Sequence, residues 1–191
     1  SSSRLLLSSA LMPTSCQVSH EAWLPQLLAQ SSPGTTVHFP HAVLIAGKEF
    51  THAKVEKDFR TASRAKLVQM LPHASYFIAK FEDVSQEYAV MCCLRAMNQR
   101  WRDRRVVLGN SQVEAVTYSI LPLGSSAGLI SVVPGSHTMR ELSQAVSYDQ
   151  RNQRVSLALQ SEPRRLSRLA ASAVAYLTSC YVLGIRDGHD D

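Results

Sequence analysis

The chain has 191 residues and a mass of 21.1 kDa, which is the length of one domain rather than two. Hydrophobic residues make up 45% and charged residues 18% of the sequence, so a core can form and wholesale disorder is excluded. The 20 basic and 15 acidic side chains give a net charge of +5. This charge favours an anionic partner such as a nucleotide, a phospholipid headgroup or a nucleic acid.

The cysteines and the apolar runs indicate the compartment. Cys16, Cys92, Cys93 and Cys180 show no CxxC spacing, which disfavours a metal site through sulfur. In a chain of this length they are typical of buried free thiols rather than of a disulfide framework. No apolar run reaches the roughly 18–20 residues of a membrane-spanning helix. We therefore expect a cytoplasmic protein, with peripheral membrane contact as an open alternative.

The first predicted elements follow an irregular lead-in over residues 1–40. Within it, only residues 21–30 have helix-like apolar spacing. Three strand-like segments come next, at residues 41–47, 66–71 and 76–80. The charged stretch 51–64 is expected to be a connection between strands.

Two longer helices are predicted from apolar residues at helical spacing. The first runs from residue 83 to about residue 101, and its apolar face consists of Val90, Leu94, Met97 and Trp101. The second leads into residues 181–185, and its face consists of Leu166, Leu169, Ala170, Ala173 and Leu177. Strand-like segments lie between the helices, at residues 106–108, 116–121 and 128–133. This order of elements predicts an α+β fold.

One group of polar residues follows the strand at residues 76–80. Lys80 closes this apolar strand, and Glu82, Asp83 and Glu87 come directly after it. A lysine at such a position suits a phosphate oxygen, and acidic neighbours can hold and orient it. A lone lysine at a strand end is otherwise usually a surface residue.

A second polar group lies in the last five residues and includes Asp187, His189, Asp190 and Asp191. Such a cluster can abstract a proton or bind a divalent metal through oxygen ligands. A solvated acidic tail is the plain alternative.

Three segments in chain order resemble the catalytic domain of the phosphatidylinositol 3- and 4-kinases and the related large protein kinases. Residues 77–87, FIAKFEDVSQE, are similar to that family's I-F-K-x-G-D-D-L-R-Q-D stretch. Residues 128–138, GLISVVPGSHT, resemble its G-L-I-E-V-V hinge segment and the residues after that hinge. Residues 181–191, YVLGIRDGHDD, resemble its catalytic loop, Y-I-L-G-x-G-D-R-H-x-D-N.

The resemblance implies an α+β, bilobal protein-kinase-like fold with ATP and Mg²⁺ as cofactors. Residues 41–133 would form an N-lobe with an antiparallel sheet and one helix. Residues 134–191 would begin a helical C-lobe and end inside the catalytic loop.

The same resemblance implies an ATP site made of four residues. Lys80 would contact the ATP phosphates, and Asp83 would belong to the acidic pair near that lysine. Val133 would offer its backbone N–H to the adenine, and Tyr118 would line the inner pocket. Taken alone, Tyr118 is more typical of a core residue of a strand.

Asp187 and His189 would be the catalytic pair that acts on the acceptor hydroxyl and the transferring phosphoryl group. The loop asparagine and the D-F-G aspartate that bind metal would follow Asp191, so the metal ligands are not assigned, and we expect the 191-residue chain alone to be inactive. Ser85 and Gly188 stand where the family has arginines. An inactive pseudokinase or scaffold module is therefore an alternative.

The substrate class is open between a phosphoinositide lipid and a protein. Residues 95–101, RAMNQRW, and the short spacing from Val133 to Asp187 resemble the lipid kinases. Residues 81–83 and 118–123 resemble the protein-kinase branch. We favour phosphorylation of an inositol headgroup, with a Ser/Thr protein kinase as the alternative. A nucleic-acid partner would rest only on the arginines within residues 100–105 and is not expected.

Overall fold

The structure is a computed structural model that describes residues 23–59, 64–136, 150, 153 and 163–185. Within this part of the chain it is α+β, with an antiparallel sheet and three helices, which confirms the α+β part of the predicted fold class. The chain divides into two compact units. Unit 1 comprises Ser1–Glu82 and Leu123–Leu129, and unit 2 comprises Asp83–Pro122 and Ile130–Asp191.

Unit 1 is an antiparallel sheet preceded by a short helix. Its helix α1 spans Trp23–Gln30, and its strands are β1 (Thr36–Ile45), β2 (Lys48–Asp58), β3 (Lys66–Leu71) and β4 (Ser75–Lys80). The strands pair in chain order. The first residues of a later strand, Gly128 and Leu129, belong to the same unit and lie next to β4 in the strand order. The predicted helix and the third and fourth strands are confirmed within a residue or two.

The first two strands differ from the prediction. β1 begins at Thr36, five residues before the predicted start, and the predicted connection at residues 51–64 lies largely in β2. Lys54 and Glu56 alternate along β2 with Ala53 and Val55, which are fully buried. A strand with one wet face tolerates a charge at every second position, so a charged stretch does not exclude a strand.

The turn between β1 and β2 fixes their register. Ala46 and Gly47 both have positive φ, at 50° and 76°, and Ile45 pairs with Lys48 across the turn. This is the backbone of a two-residue type I′ hairpin, in which glycine is favoured because it has no Cβ.

Unit 2 combines two long helices with short strands. The helices are α2 (Ser85–Asp103) and α3 (Pro163–Leu183), and the strands are β5 (Val107–Leu108), β6 (Ser111–Gln112), β7 (Ile120–Pro122) and the end of β8 (Gly128–Ser131). Their apolar side chains form one cluster: Val84, Met91, Leu94, Val113, Ala115, Ile120, Ala171 and Ala175. The predicted strand at residues 116–121 overlaps β7 only at residues 120–121. Just before it, the Asn98 side chain bonds to both backbone groups of Ala115.

The face of α2 is shifted from the predicted one. Leu94 is buried as expected, but the other buried residues are Met91 and Asn98, while Val90 and Trp101 are half-buried. A search for apolar spacing does not predict the burial of Asn98, because this burial depends on hydrogen bonds. On the same helix Cys93 is exposed, so the expectation of buried thiols is wrong there.

The predicted apolar face of α3 is also wrong. The helix buries the small residues Ala171, Ala175 and Ser179, which allow close packing against the rest of unit 2. Its large apolar side chains are exposed instead: Leu166, Leu169, Val174, Tyr176, Leu177, Tyr181, Val182 and Leu183. By length and composition alone, Arg164–Leu183 could cross a membrane, which differs from the expectation that no apolar run is long enough. Only 17% of this span is buried, and a single helix of this kind is weak evidence for a membrane span.

Exposed apolar side chains on α3 should drive self-association of the 191-residue chain. We expect the double change Leu177→Ser/Val182→Ser, at positions 65% and 63% exposed, to shift the chain toward the monomer in gel filtration with light scattering. The matched control is Leu44→Ser/Val107→Ser, at positions 52% and 58% exposed but not on α3. An equal shift in the control would contradict the assignment of self-association to α3.

Candidate functional site

Lys80 is the last residue of β4, where strand alternation determines its exposure. Phe77 and Ala79 point into the core and are buried, so Lys80 lies on the opposite face and is 27% exposed. Its Nζ forms an ion pair with Oε1 of Glu82 at 3.1 Å. This pair holds a cation at the end of the strand, partly open to solvent.

Asp83 lies just before α2 and is bound to the start of that helix. Its Oδ1 accepts a hydrogen bond of 2.8 Å from the backbone N–H of Ser85, the first helical residue. The Ser85 hydroxyl, and after it the Ser85 amide, hold the pKa of Asp83 below its usual range. Asp83 is therefore ionised at neutral pH. Its carboxylate bonds to the first N–H of α2, while Val84, the residue at the N-cap, makes no side-chain capping bond.

The lowered pKa of Asp83 gives a testable pH dependence. A carboxyl whose folded pKa is depressed stabilises the fold above its unfolded pKa, and this contribution is lost as the pH falls through the folded pKa. We expect Ser85→Ala to raise the Asp83 pKa toward its ordinary value in a carboxyl NMR titration. Ser172→Ala, which removes a hydroxyl bonded to the Leu169 carbonyl on α3, is the control. An unchanged Asp83 titration in Ser85→Ala would contradict this assignment.

Tyr118 is half-buried and packs against the apolar cluster of unit 2. Its backbone carbonyl accepts a hydrogen bond of 2.6 Å from Nη2 of Arg95 on α2. The arginine thereby fixes the chain just before β7. These contacts are those of a core residue, which is the simpler of the two interpretations of this tyrosine from the sequence.

Val133 begins a turn after β8. Its carbonyl accepts hydrogen bonds from the backbone N–H of Ser136 at 3.3 Å and from the Ser136 hydroxyl at 2.7 Å. Pro134 and Gly135 occupy the centre of the turn, and Gly135 has a φ of 69°, the pattern of a type II turn. These bonds hold the carbonyl of Val133, whereas the sequence prediction uses its backbone N–H.

The predicted site residues are divided between the two units and the part of the chain that is not described. Asp187 and His189 lie outside the described residues. Asp83, Tyr118 and Val133 belong to unit 2, and Lys80 belongs to unit 1 with Glu82. Within the described ranges, no group of three or more His, Cys, Asp or Glu could hold a metal ion.

The structure also contains features that the sequence prediction missed. Oδ1 and Nδ2 of Asn98 bond to the backbone N–H and carbonyl of Ala115, each at 2.8 Å. A groove in unit 2, with a volume of about 1300 Å³, has Arg164, Arg165 and Arg168 along one side. The close spacing of these three arginines in the sequence is the signal that could have indicated this wall of the groove.

Comparison with protein-family models found no matching family, and a search of the curated proteins found no match to this chain. The resemblance to the kinases therefore rests on the three sequence segments.

Proposed function

We propose that the protein is an ATP-dependent phosphotransferase with a bilobal, protein-kinase-like catalytic domain. The observation that carries the proposal is the position of Lys80. It ends β4, is paired with Glu82, and comes shortly before Val84 and the start of α2. A lysine that contacts nucleotide phosphates is expected on a strand, and Lys80 is the last residue of β4.

In this proposal the residues of the chain position the two reactants. Lys80 balances the charge of the ATP phosphates, the Val133 N–H receives the adenine, and Asp187 orients the acceptor hydroxyl. The hydroxyl oxygen forms a bond to the γ-phosphorus, the bond from that phosphorus to the β-γ bridging oxygen breaks, and the hydroxyl proton passes to Asp187. Bound Mg²⁺ would supply charge neutralisation at the phosphates, but the described residues do not form a site for it.

The acceptor that we propose is the inositol headgroup of a phosphoinositide. The support is the likeness of residues 95–101 to the lipid kinases and the net charge of +5, which favours an anionic surface. Arg95 bonds to the Tyr118 carbonyl and Trp101 packs against the apolar cluster. The contacts of Arg95 and Trp101 hold the helix in place. They support a similarity to the same helix of the lipid kinases and not a contact with the substrate.

A transfer assay distinguishes the alternatives. The full-length protein is incubated with labelled Mg-ATP and either phosphatidylinositol vesicles or a mixture of Ser/Thr peptides. We expect label in the lipid. Label in peptide alone would overturn the lipid assignment in favour of a protein kinase, and no label in either would overturn the phosphotransferase in favour of a scaffold.

A further inference from the structure

The groove in unit 2 has two chemically different walls. The first two turns of α3 contribute Arg164, Arg165 and Arg168. The opposite wall is the segment 109–117, whose lining includes Asn110 and Thr117. Among the described residues that line the groove, none is aromatic.

The charge of the groove is strongly positive. Guanidinium groups stay ionised at any physiological pH, and the three arginines are exposed. Glu114 is the single carboxylate among the described lining residues, and its Oε1 is already bonded to Nη1 of Arg102. The lining thus offers a surplus of charged donors to an anion.

The spacing of the arginines favours more than one phosphate. Arg164 and Arg168 are four residues apart on α3, so they lie one turn apart on the same side of the helix, with Cβ atoms about 5–6 Å from each other. Each guanidinium can bind a phosphate through two parallel N–H donors. Two neighbouring phosphate groups on one ligand would match this spacing.

The groove is also held in shape before any ligand binds. Oγ of Ser111 and Oγ of Ser167 lie 2.8 Å apart and join the two walls. Behind the wall, buried Asn98 bonds to both backbone groups of Ala115. A preformed site loses less conformational entropy on binding.

We propose that this groove binds a small anion carrying two or more phosphate groups, either free or as the headgroup of a lipid. Short polar side chains such as Thr117 and Asn110 can bond to phosphate or hydroxyl oxygens, whereas the described lining contains no ring on which a nucleobase would stack. None of Lys80, Asp83, Tyr118 or Val133 lines the groove. The site is therefore separate from the proposed nucleotide residues and does not depend on the proposed activity.

Calorimetric titration of the full-length protein with inorganic tripolyphosphate tests the site. We expect saturable binding that Arg164→Gln and Arg168→Gln each weaken about tenfold or more, since a charge-assisted hydrogen bond is lost. The control is Arg104→Gln, an exposed arginine of unit 2 that does not line the groove, and its affinity should stay within about twofold. Circular dichroism checks that each variant remains folded.

Each other result has a defined meaning. Absence of binding, or an equal loss in Arg104→Gln, overturns the proposal in favour of general surface charge. Tighter binding of a single-stranded oligonucleotide with the same arginine dependence overturns it in favour of nucleic acid. In a parallel Mg-ATP titration the two groove variants must retain the binding that Lys80→Ala weakens, because a loss of that binding would place the groove in the nucleotide site and contradict a separate one.

A vesicle-binding experiment shows whether the phosphate groups belong to a lipid headgroup or to a soluble ligand. Phosphatidylcholine vesicles containing phosphatidylinositol bisphosphate are compared with vesicles of equal charge containing phosphatidylserine. Retention on the first alone, lost in Arg164→Gln and Arg168→Gln, supports the site with a lipid ligand. Binding of tripolyphosphate without arginine-dependent retention on these vesicles supports it with a soluble ligand.

Discussion

Lys80→Ala is expected to lower the rate of phosphate transfer from Mg-ATP by about 100- to 1000-fold in the full-length protein. This is the usual cost of removing one donor aimed at charge that develops in the transition state. The side chain is partly exposed, and its loss removes an ion pair with Glu82 at 45% exposure. Such pairs contribute little to stability, so the fold should persist while activity is lost.

The matched control is Lys54→Ala. Lys54 also lies on a strand of unit 1, and its Nζ pairs with Oε1 of Glu56 at 3.0 Å. The change removes the same charge and the same kind of ion pair, away from the proposed phosphate position. Equal loss of activity in Lys54→Ala and Lys80→Ala, or activity retained in Lys80→Ala, would contradict the role assigned to Lys80.

Asn98→Ala is expected to destabilise unit 2 by about 2–6 kcal/mol. Asn98 is 2% exposed, and its side chain satisfies both the N–H and the carbonyl of Ala115. Alanine would leave these two backbone groups buried without partners, at about 1–3 kcal/mol each. This is a large part of the roughly 5–15 kcal/mol that typically stabilises a domain.

Urea unfolding measures the effect of Asn98→Ala on stability. The control is Gln99→Ala, at the next position of the same helix. This change removes two exposed hydrogen bonds, one donated to Asp103 at 2.7 Å and one accepted from Arg102 at 3.0 Å. We expect this control to change stability by no more than about 0.5 kcal/mol. Equal stability of Asn98→Ala and the native protein would show that water or a rearranged backbone satisfies Ala115.

The elements that the sequence predicted well are those whose pattern is local. β3 and β4 alternate buried and half-buried residues, and α2 carries apolar residues through four turns. β2 was missed because its wet face carries charges at Lys54 and Glu56. A strand with a charged exposed face and a charged connecting segment have similar sequences, so the pattern alone does not distinguish them.

The elements that the sequence did not predict depend on contacts between distant residues. Asn98 is polar and would be placed on a wet face, and only its bonds to Ala115, 17 residues away, explain its burial. On α3 the leucines suggested a core face, but Ala171 and Ala175 are the residues that pack. The small side chains allow a closer approach of the helix, and spacing alone does not reveal which face has a partner.

The same distinction applies to the candidate site. The position of Lys80 at the end of β4 followed from the apolar run before it, and the structure has it there. The bond between Asp83 and Ser85 was not foreseen, although an acidic residue just before a helix is a common signal for capping.

The most direct test of the proposed function is a calorimetric titration of Mg-ATP into the full-length protein and its Lys80→Ala and Lys54→Ala variants. We expect a nucleotide site whose affinity falls about tenfold or more in Lys80→Ala, and we expect Lys54→Ala to bind at that site as the native protein does. Absence of binding to the native protein, or equal affinity in Lys80→Ala, would contradict a nucleotide site built on Lys80.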